Sequence, residues 1–154
     1  MKMQINTKPF GEIEVDNKQI IDFPEGILGF DFINKFIILD SDKNSPFKWM
    51  QAYSEPDLAF IIIRPADFMT GYELQISQCD LDEIDVNNYD ELLIFAIVTI
   101  PSNPSEMTAN LQGPIIINPK KGIGRQVISL SDKYLVKHKI LDELRNAFQE
   151  KGKK

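Results

Sequence analysis

Ile115-Ile116-Ile117-Asn118-Pro119-Lys120-Lys121-Gly122, followed by Arg125-Gln126-Val127-Ile128-Ser129-Leu130, is the stretch on which the fold of this chain turns. Three β-branched residues in succession suit a pleated, well-covered strand. Pro119 presets φ for a turn, and Gly122 provides a residue that can take positive φ. A second strand-like run follows at once. The pattern is that of an antiparallel β-hairpin.

The same signal recurs outward from it. Met3–Thr7 and Glu12–Val15 alternate with period two, and Ile20–Phe23 is a third short run closed by Pro24. Phe36–Leu39 stops at Asp40-Ser41-Asp42-Lys43-Asn44-Ser45-Pro46, a dense cluster of turn residues. Phe47–Ala52, Ala59–Ile63, Tyr72–Ile76 and Leu92–Ile100 continue the series. Ala59–Ile63 and Leu92–Ile100 are almost continuously apolar, which predicts strands covered on both faces. About ten short strands in one domain predict an all-β fold: a single barrel-like antiparallel domain, closed or nearly so, with short helical segments.

The C-terminus differs in kind. Ile140, Leu141, Leu144 and Phe148 fall on one stripe of a helix, with Asp142, Glu143 and Arg145 on the other face. We therefore expect a β-barrel-like domain over residues 1–138 and a C-terminal helix over 139–154 as an extension of the same domain. Tyr134–Val136 is compatible with either a strand or an earlier start of that helix.

Charge and composition exclude several classes. The chain has 154 residues, 43% hydrophobic and 26% charged, so it can bury a core and is not disordered throughout. The N-terminal residues lack the apolar region of a secretory signal, and no apolar run approaches the ~20 residues of a spanning helix. A cytoplasmic protein is the expectation. Residues 1–119 carry 7 Lys/Arg against 19 Asp/Glu, and residues 120–154 carry 10 against 4. Such a body repels nucleic acid and favours a basic protein partner. A basic hairpin and helix more often pair with the protein's own acidic body than with phosphates.

Catalytic and metal signatures are weak. His138 is the sole histidine, flanked by Lys137 and Lys139, and Cys79 stands alone beside Asp80. These rule out an internal disulfide and metal sites needing several His or Cys ligands. Asp80, Asp82 and Glu91 match positions 1, 3 and 12 of a calcium loop, but Ile84 and Asp85 stand where a ligand and a glycine are required. A short helical turn or acidic loop between two strands is the simpler account. Neither a phosphate-binding glycine motif nor a nucleophile elbow is present, and no cofactor is expected.

The run Ile21-Asp22-Phe23-Pro24-Glu25-Gly26-Ile27-Leu28-Gly29-Phe30 is a strand end, a Pro-initiated turn and two glycines. Its apolar residues must pack somewhere. With Gly11 before a strand, Pro46-Phe47-Lys48-Trp49-Met50-Gln51, Asp57-Leu58-Ala59-Phe60, Thr108–Asn118 and Gly124-Arg125-Gln126-Val127, it resembles the flagellar assembly factor FliW family. The blocks occur in order from about residue 4 to 138. Lys139 follows His138 where the family pattern has proline, and the tail beyond it exceeds the short family core.

The resemblance implies a non-enzymatic cytoplasmic regulator that binds two competing partners. These are flagellin and CsrA, the RNA-binding repressor of flagellin translation; secretion of flagellin would free the factor to remove CsrA from the message. The resemblance favours antagonism from a site away from CsrA's RNA surface over mimicry of RNA by carboxylates. Exposed members of the motif blocks are the expected contacts: Phe30, Asp31, Trp49, Gln51, Asn110 and Gln112. Asp80, Asp82, Glu83 and Asp85 are the expected electrostatic contributors. Trp is a favoured interface anchor, although in a strand it is more commonly core, and Asn110 suits a turn backbone equally well. Two other classes remain open: a small-ligand or carbohydrate-binding barrel, and a hydrolase using paired carboxylates.

Overall fold

The computed structural model describes residues 2–41 and 45–142. Along the described residues run eleven strands and helix α1: β1 (Lys2–Thr7), β2 (Gly11–Asp16), β3 (Ile20–Asp22), β4 (Lys35–Asp40), β5 (Phe47–Ala52), β6 (Ala59–Ile63), α1 (Gln78–Glu83), β7 (Leu93–Thr99), β8 (Thr108–Ala109), β9 (Ile115–Asn118), β10 (Ile123–Gln126) and β11 (His138–Lys139). Seven of them close a barrel in the order β7-β6-β5-β4-β3-β10-β9, with β9 returning to β7. The mainly β, barrel-like expectation holds.

Closure with an odd number has a consequence. Seven strands cannot alternate direction all the way round, so one neighbouring pair must run parallel. That pair is β3 and β10, joined at the single register position Ile123↔Asp22 and by Asp22 N–H donating to the Gly122 carbonyl at 2.8 Å. The other barrel pairings are antiparallel. The seam is the shortest ladder in the barrel, and the chain on either side of it is where a groove opens.

Alternation explains the continuous apolar runs. In β4, Phe36 and Ile38 face the barrel interior while Ile37 and Leu39 lie under the β1–β2 hairpin. In β6 and β7, Phe60, Ile62, Phe95 and Ile97 point inward; Ile61, Ile63, Ala96 and Val98 meet Phe68, Met69, Tyr134 and Ile140 outside. In β9, Ile116 packs outward on Leu74, Ile76, Leu81 and Ile84. These strands are covered on both faces, so period-two polarity is absent from them.

Three expectations are corrected. Tyr72–Ile76 alternates, with Leu74 and Ile76 buried, but it joins no ladder. Its backbone is satisfied otherwise: Glu73 N–H donates to Tyr134 Oη at 2.8 Å, Ile76 N–H to Tyr89 Oη at 3.3 Å, and the Gln75 carbonyl accepts from Leu130 N–H at 2.7 Å. The hairpin is present, with Gly122 at φ +65°, but its second strand is Ile123–Gln126 and not Arg125–Leu130. The reason is Pro114: Val127 N–H still reaches its carbonyl at 2.9 Å, but proline has no N–H to return, and the ladder ends there. Tyr134–Val136 is neither strand nor helix; β11 comes just after it and pairs with β8, a two-residue strand that periodicity does not reveal. Of the C-terminal helix, residues 140–142 are helical and Ile140 is fully buried; the rest of that expectation lies outside the described residues.

Candidate functional site

The groove lies beside the β3–β10 seam and has a volume of about 650 Å³. One wall is the turn after β3. Phe30 N–H donates to the Ile27 carbonyl at 2.6 Å, closing a tight turn with Leu28 and Gly29 at its tip. Gly29 has φ +86°, a conformation an L side chain rarely adopts, so glycine is needed there. Beneath, Ile27 is buried in the barrel core and Phe30 is half-buried, its ring edge-on to Phe60 at 5.2 Å. Leu28 is left 83% exposed at the tip of an anchored turn.

The other wall comes from the segments around Asn110–Gly113 and Gln126–Val136. Asn110 Oδ1 accepts from Gly113 N–H at 2.8 Å, and the Gln112 carbonyl accepts from Ser129 N–H at 2.7 Å. Gln126 spans the gap: its Oε1 accepts from Leu28 N–H at 2.9 Å and its Nε2 donates to the Gly113 carbonyl at 3.0 Å. Ile128 and Val136, 63% and 53% exposed, complete an apolar lining with Leu28. Glu25 and Asp31 add acidic groups at the rim.

Arg125 joins this groove to α1. Its Nε donates to Asp80 Oδ1 at 3.3 Å, and its Nη1 lies 3.9 Å from Glu25 Oε1. Lys121, at the hairpin turn, pairs with Asp85. The basic hairpin thus neutralises part of the protein's own acidic segment. Helix α1 starts with Ser77 Oγ accepting from Asp80 N–H, and Asp80 sits in the first turn, where a carboxylate complements the helix dipole. Asp80 and Asp82 are on a helix, which is not the geometry of a calcium loop. Among the described residues no group of three or more His, Cys, Asp or Glu is placed to hold a metal ion.

The ten expected contact residues separate into distinct environments. Asp31, Asn110 and Gln112 come together in the groove, and Phe30 supports its turn from below. Asp82 and Glu83 are exposed; Asp82 accepts from Gln78 Nε2 at 3.1 Å. Asp80 and Asp85 are engaged by Arg125 and Lys121 as described. Trp49 is half-buried beneath the β1–β2 hairpin. Gln51, expected at the surface, is 0% exposed and cannot meet a partner. Its Oε1 accepts from Lys8 N–H at 2.9 Å, and its Nε2 lies within 3.0–3.2 Å of the carbonyls of Ala52, Glu55, Pro56 and Leu58. Gln126, Ile128 and Val136 were not anticipated as groove residues. Gln126 and Ile128 lie in the run expected to continue as a strand, and only the proline opposite it in the hairpin signals that the strand stops; Val136 lies in Tyr134–Val136, whose pattern suits a strand or a helix.

Comparison with known proteins fits this architecture. The family described as FliW protein matches residues 4–140. The flagellar assembly factor FliW of Leptospira biflexa serovar Patoc is 45% identical over 152 residues, covering 98% of this chain and 99% of that protein. The tail beyond residue 140 is therefore shared with a full-length relative and is not an addition of this chain. The flagellar assembly factor FliW of Thermoanaerobacter pseudethanolicus is 45% identical over 95% of this chain and 98% of its own length. A crystal structure of the flagellar assembly factor FliW superimposes with a TM-score of 0.82 at 33% identity, covering 90% of this chain and 96% of that one. With its closed barrel, its seam groove and these likenesses along nearly its whole length, the chain belongs to the FliW family of flagellar assembly factors.

Proposed function

We propose that this chain is a cytoplasmic, non-enzymatic regulator that docks proteins, binding flagellin and, in exchange, the translational repressor CsrA. Flagellin leaving the cell would release the factor to engage CsrA, so that flagellin synthesis follows flagellin secretion. The observation that supports a docking role is the groove: Leu28, Ile128 and Val136 are apolar residues exposed along it, Leu28 on a turn held by the Gln126 side chain. Exposed apolar surface gathered at a concavity is a feature of interaction sites. Asp82 and Glu83 on α1 add an exposed acidic flank suited to steering a basic protein.

Isothermal titration with CsrA of the same organism, at low and moderate salt, followed by competition with flagellin, tests the reading. Saturable binding that weakens with salt and is displaced by flagellin is expected. Absence of binding to both proteins, each shown to be folded, would overturn it. The groove also lies within the size range of small-molecule sites, roughly 300–1,000 Å³. Thermal-shift stabilisation by a carbohydrate or metabolite, without protein binding, would move the assignment to a ligand-binding barrel.

A further inference from the structure

The chain running out of β10 has two sides, and only one of them is paired. Val127 N–H donates to the Pro114 carbonyl at 2.9 Å and Ser129 N–H to the Gln112 carbonyl at 2.7 Å. These bonds step by two residues in each chain, as an antiparallel ladder does, so the chain stays extended past Gln126. In an extended chain the backbone groups of successive residues point to opposite sides. The N–H and C=O groups of Gln126 and Ile128 therefore point away from Gln112–Pro114. They face the side on which Asp22 N–H meets the Gly122 carbonyl at 2.8 Å.

Strand β3 does not follow them. The next rung needs an N–H from residue 24, which is proline, and Gly26 N–H donates to the Phe23 carbonyl at 2.9 Å, turning the chain away. Among the described residues nothing bonds to the outward backbone groups of Gln126 and Ile128. Both residues line the groove, and Ile128 is exposed. The Gln126 side chain, held at Leu28 and Gly113, leaves the strand across its face and not along this edge. Such a row of free donors and acceptors is completed by another extended backbone.

The groove walls specify the side chains of that segment. Leu28 and Val136, with Ile128, offer apolar contact. Glu25 is met by Arg125, whereas Asp31 at the rim is exposed and has no ion pair among the described residues. A cationic residue complements it.

We propose that the free side of the chain at Gln126 and Ile128 is a strand-addition site for an extended segment of a partner protein, whose backbone pairs with these two residues while alternate apolar side chains meet Leu28, Ile128 and Val136 and a flanking Lys or Arg faces Asp31. The inference rests on the protein-docking reading above and adds the form in which the partner is held.

The probe is a fluorescent peptide of about eight residues, with valine or leucine at alternate positions and a lysine at each end. Two further versions carry N-methyl groups on alternate residues, one on each edge of the extended peptide. All three are titrated against the full chain by anisotropy. The unmethylated peptide is expected to bind saturably, and methylation of one edge to cost about tenfold or more while methylation of the other costs little. On the protein, Ile128→Pro removes the outward N–H but none of the bonds made by Val127 and Ser129, and should also cost about tenfold. Ile128→Val keeps the N–H and should cost a few-fold at most. Asp31→Lys should weaken binding a few-fold and reduce its salt dependence. Melting temperatures show whether each variant is folded, and the methylated peptides need no variant at all. Failure of the unmethylated peptide to bind, or equal binding of all three peptides, overturns the proposal. Dimerisation of the chain alone in light scattering, abolished by Ile128→Pro, would assign the edge to a second copy and overturn the partner. Flagellin or CsrA binding that Ile128→Pro leaves intact in the folded variant sinks the strand-addition site and leaves the regulator standing. Edge-selective peptide binding without any binding of flagellin or CsrA supports the site and sinks the regulator.

Discussion

Gln126 and Leu28, 98 residues apart in sequence, are joined by a hydrogen bond of 2.9 Å from the Leu28 amide to the Gln126 side chain. The same side chain donates to Gly113 at 3.0 Å. One amide thus takes the place of a peptide group beyond the end of the parallel seam, holding together two walls that no ladder connects. Replacing it by leucine leaves a donor and an acceptor unpaired. Because the site is partly open, water will compensate in part, and Gln126→Leu should destabilise by about 1 kcal/mol. The specific signature is local: the Leu28 amide should exchange with solvent faster by tenfold or so, in keeping with a lost bond of that strength. Unchanged exchange at Leu28 would show that the turn is held by other means.

Gln51 is a second side-chain amide acting on backbone, here fully inside the protein. Its two N–H hydrogens are shared among four carbonyls of the turn from β5 to β6, and its oxygen takes Lys8 N–H after the β1 strand. Gln51→Leu removes all of these bonds, leaving the Leu58 and Glu55 carbonyls only the N–H groups of Ala52 and Leu58, and should cost about 2 kcal/mol. Gln51→Glu should be at least as costly, since it sets a carboxylate against carbonyl oxygens in a buried site. Urea midpoints give the measure. A loss below ~1 kcal/mol for both variants would mean that the turn reorganises around the change.

Gln51 and Gln126 also mark where reading the sequence succeeds and where it stops. The barrel is legible because Phe36–Leu39, Ala59–Ile63 and Ile115–Ile117 have β-branched and aromatic content that only covered strands explain. The parallel seam is not legible: it follows from closing an odd ring, and pairing partners are not written in local periodicity. Tyr72–Ile76 misleads because burial of Leu74 and Ile76 needs alternation, which an extended segment supplies with or without a ladder. Asp31, Asn110 and Gln112, named from the motif blocks, line the groove, whereas Gln51, expected at the surface, is buried. An amide's spacing says nothing about whether it faces a partner or its own backbone.

Asp85 closes α1 in a left-handed conformation, φ +59°, the one non-glycine residue with positive φ among the described residues. Val86 N–H donates to the Leu81 carbonyl at 3.0 Å and Asp85 N–H to the Asp82 carbonyl at 3.1 Å. That is the paired bonding of a Schellman cap, with Leu81 and Val86 supplying its apolar contact. Asp tolerates this conformation better than a β-branched residue. Asp85→Val should therefore destabilise by about 1–2 kcal/mol. Asp85→Gly should be close to neutral, since relief of strain offsets loss of the exposed pair with Lys121. Thermal melts of the two variants decide it. Equal stability of Val and Gly at this position would rule out backbone strain as the governing effect.

Tyr72 gives the fold a pH dependence at the alkaline end. Its hydroxyl is buried with no hydrogen-bond partner among the described residues, and its ring packs on Tyr134 at 4.8 Å between centroids. Burial, then the charge of Tyr134, pushes its pKa up from 10.0 to about 12. The folded state therefore holds the phenol proton more tightly than the unfolded chain. Above the unfolded pKa the unfolded state loses that proton first and is favoured, so stability is full below pH 10 and declines as pH rises toward about 12. Tyr72→Phe removes both the titration and an unsatisfied polar group. It should be more stable than the parent by about 1 kcal/mol at neutral pH, and its urea midpoint should fall less steeply between pH 10 and 12. A neutral-pH loss of stability in Tyr72→Phe would mean that the hydroxyl is satisfied in solution, and an unaltered alkaline slope would assign the titration to another group.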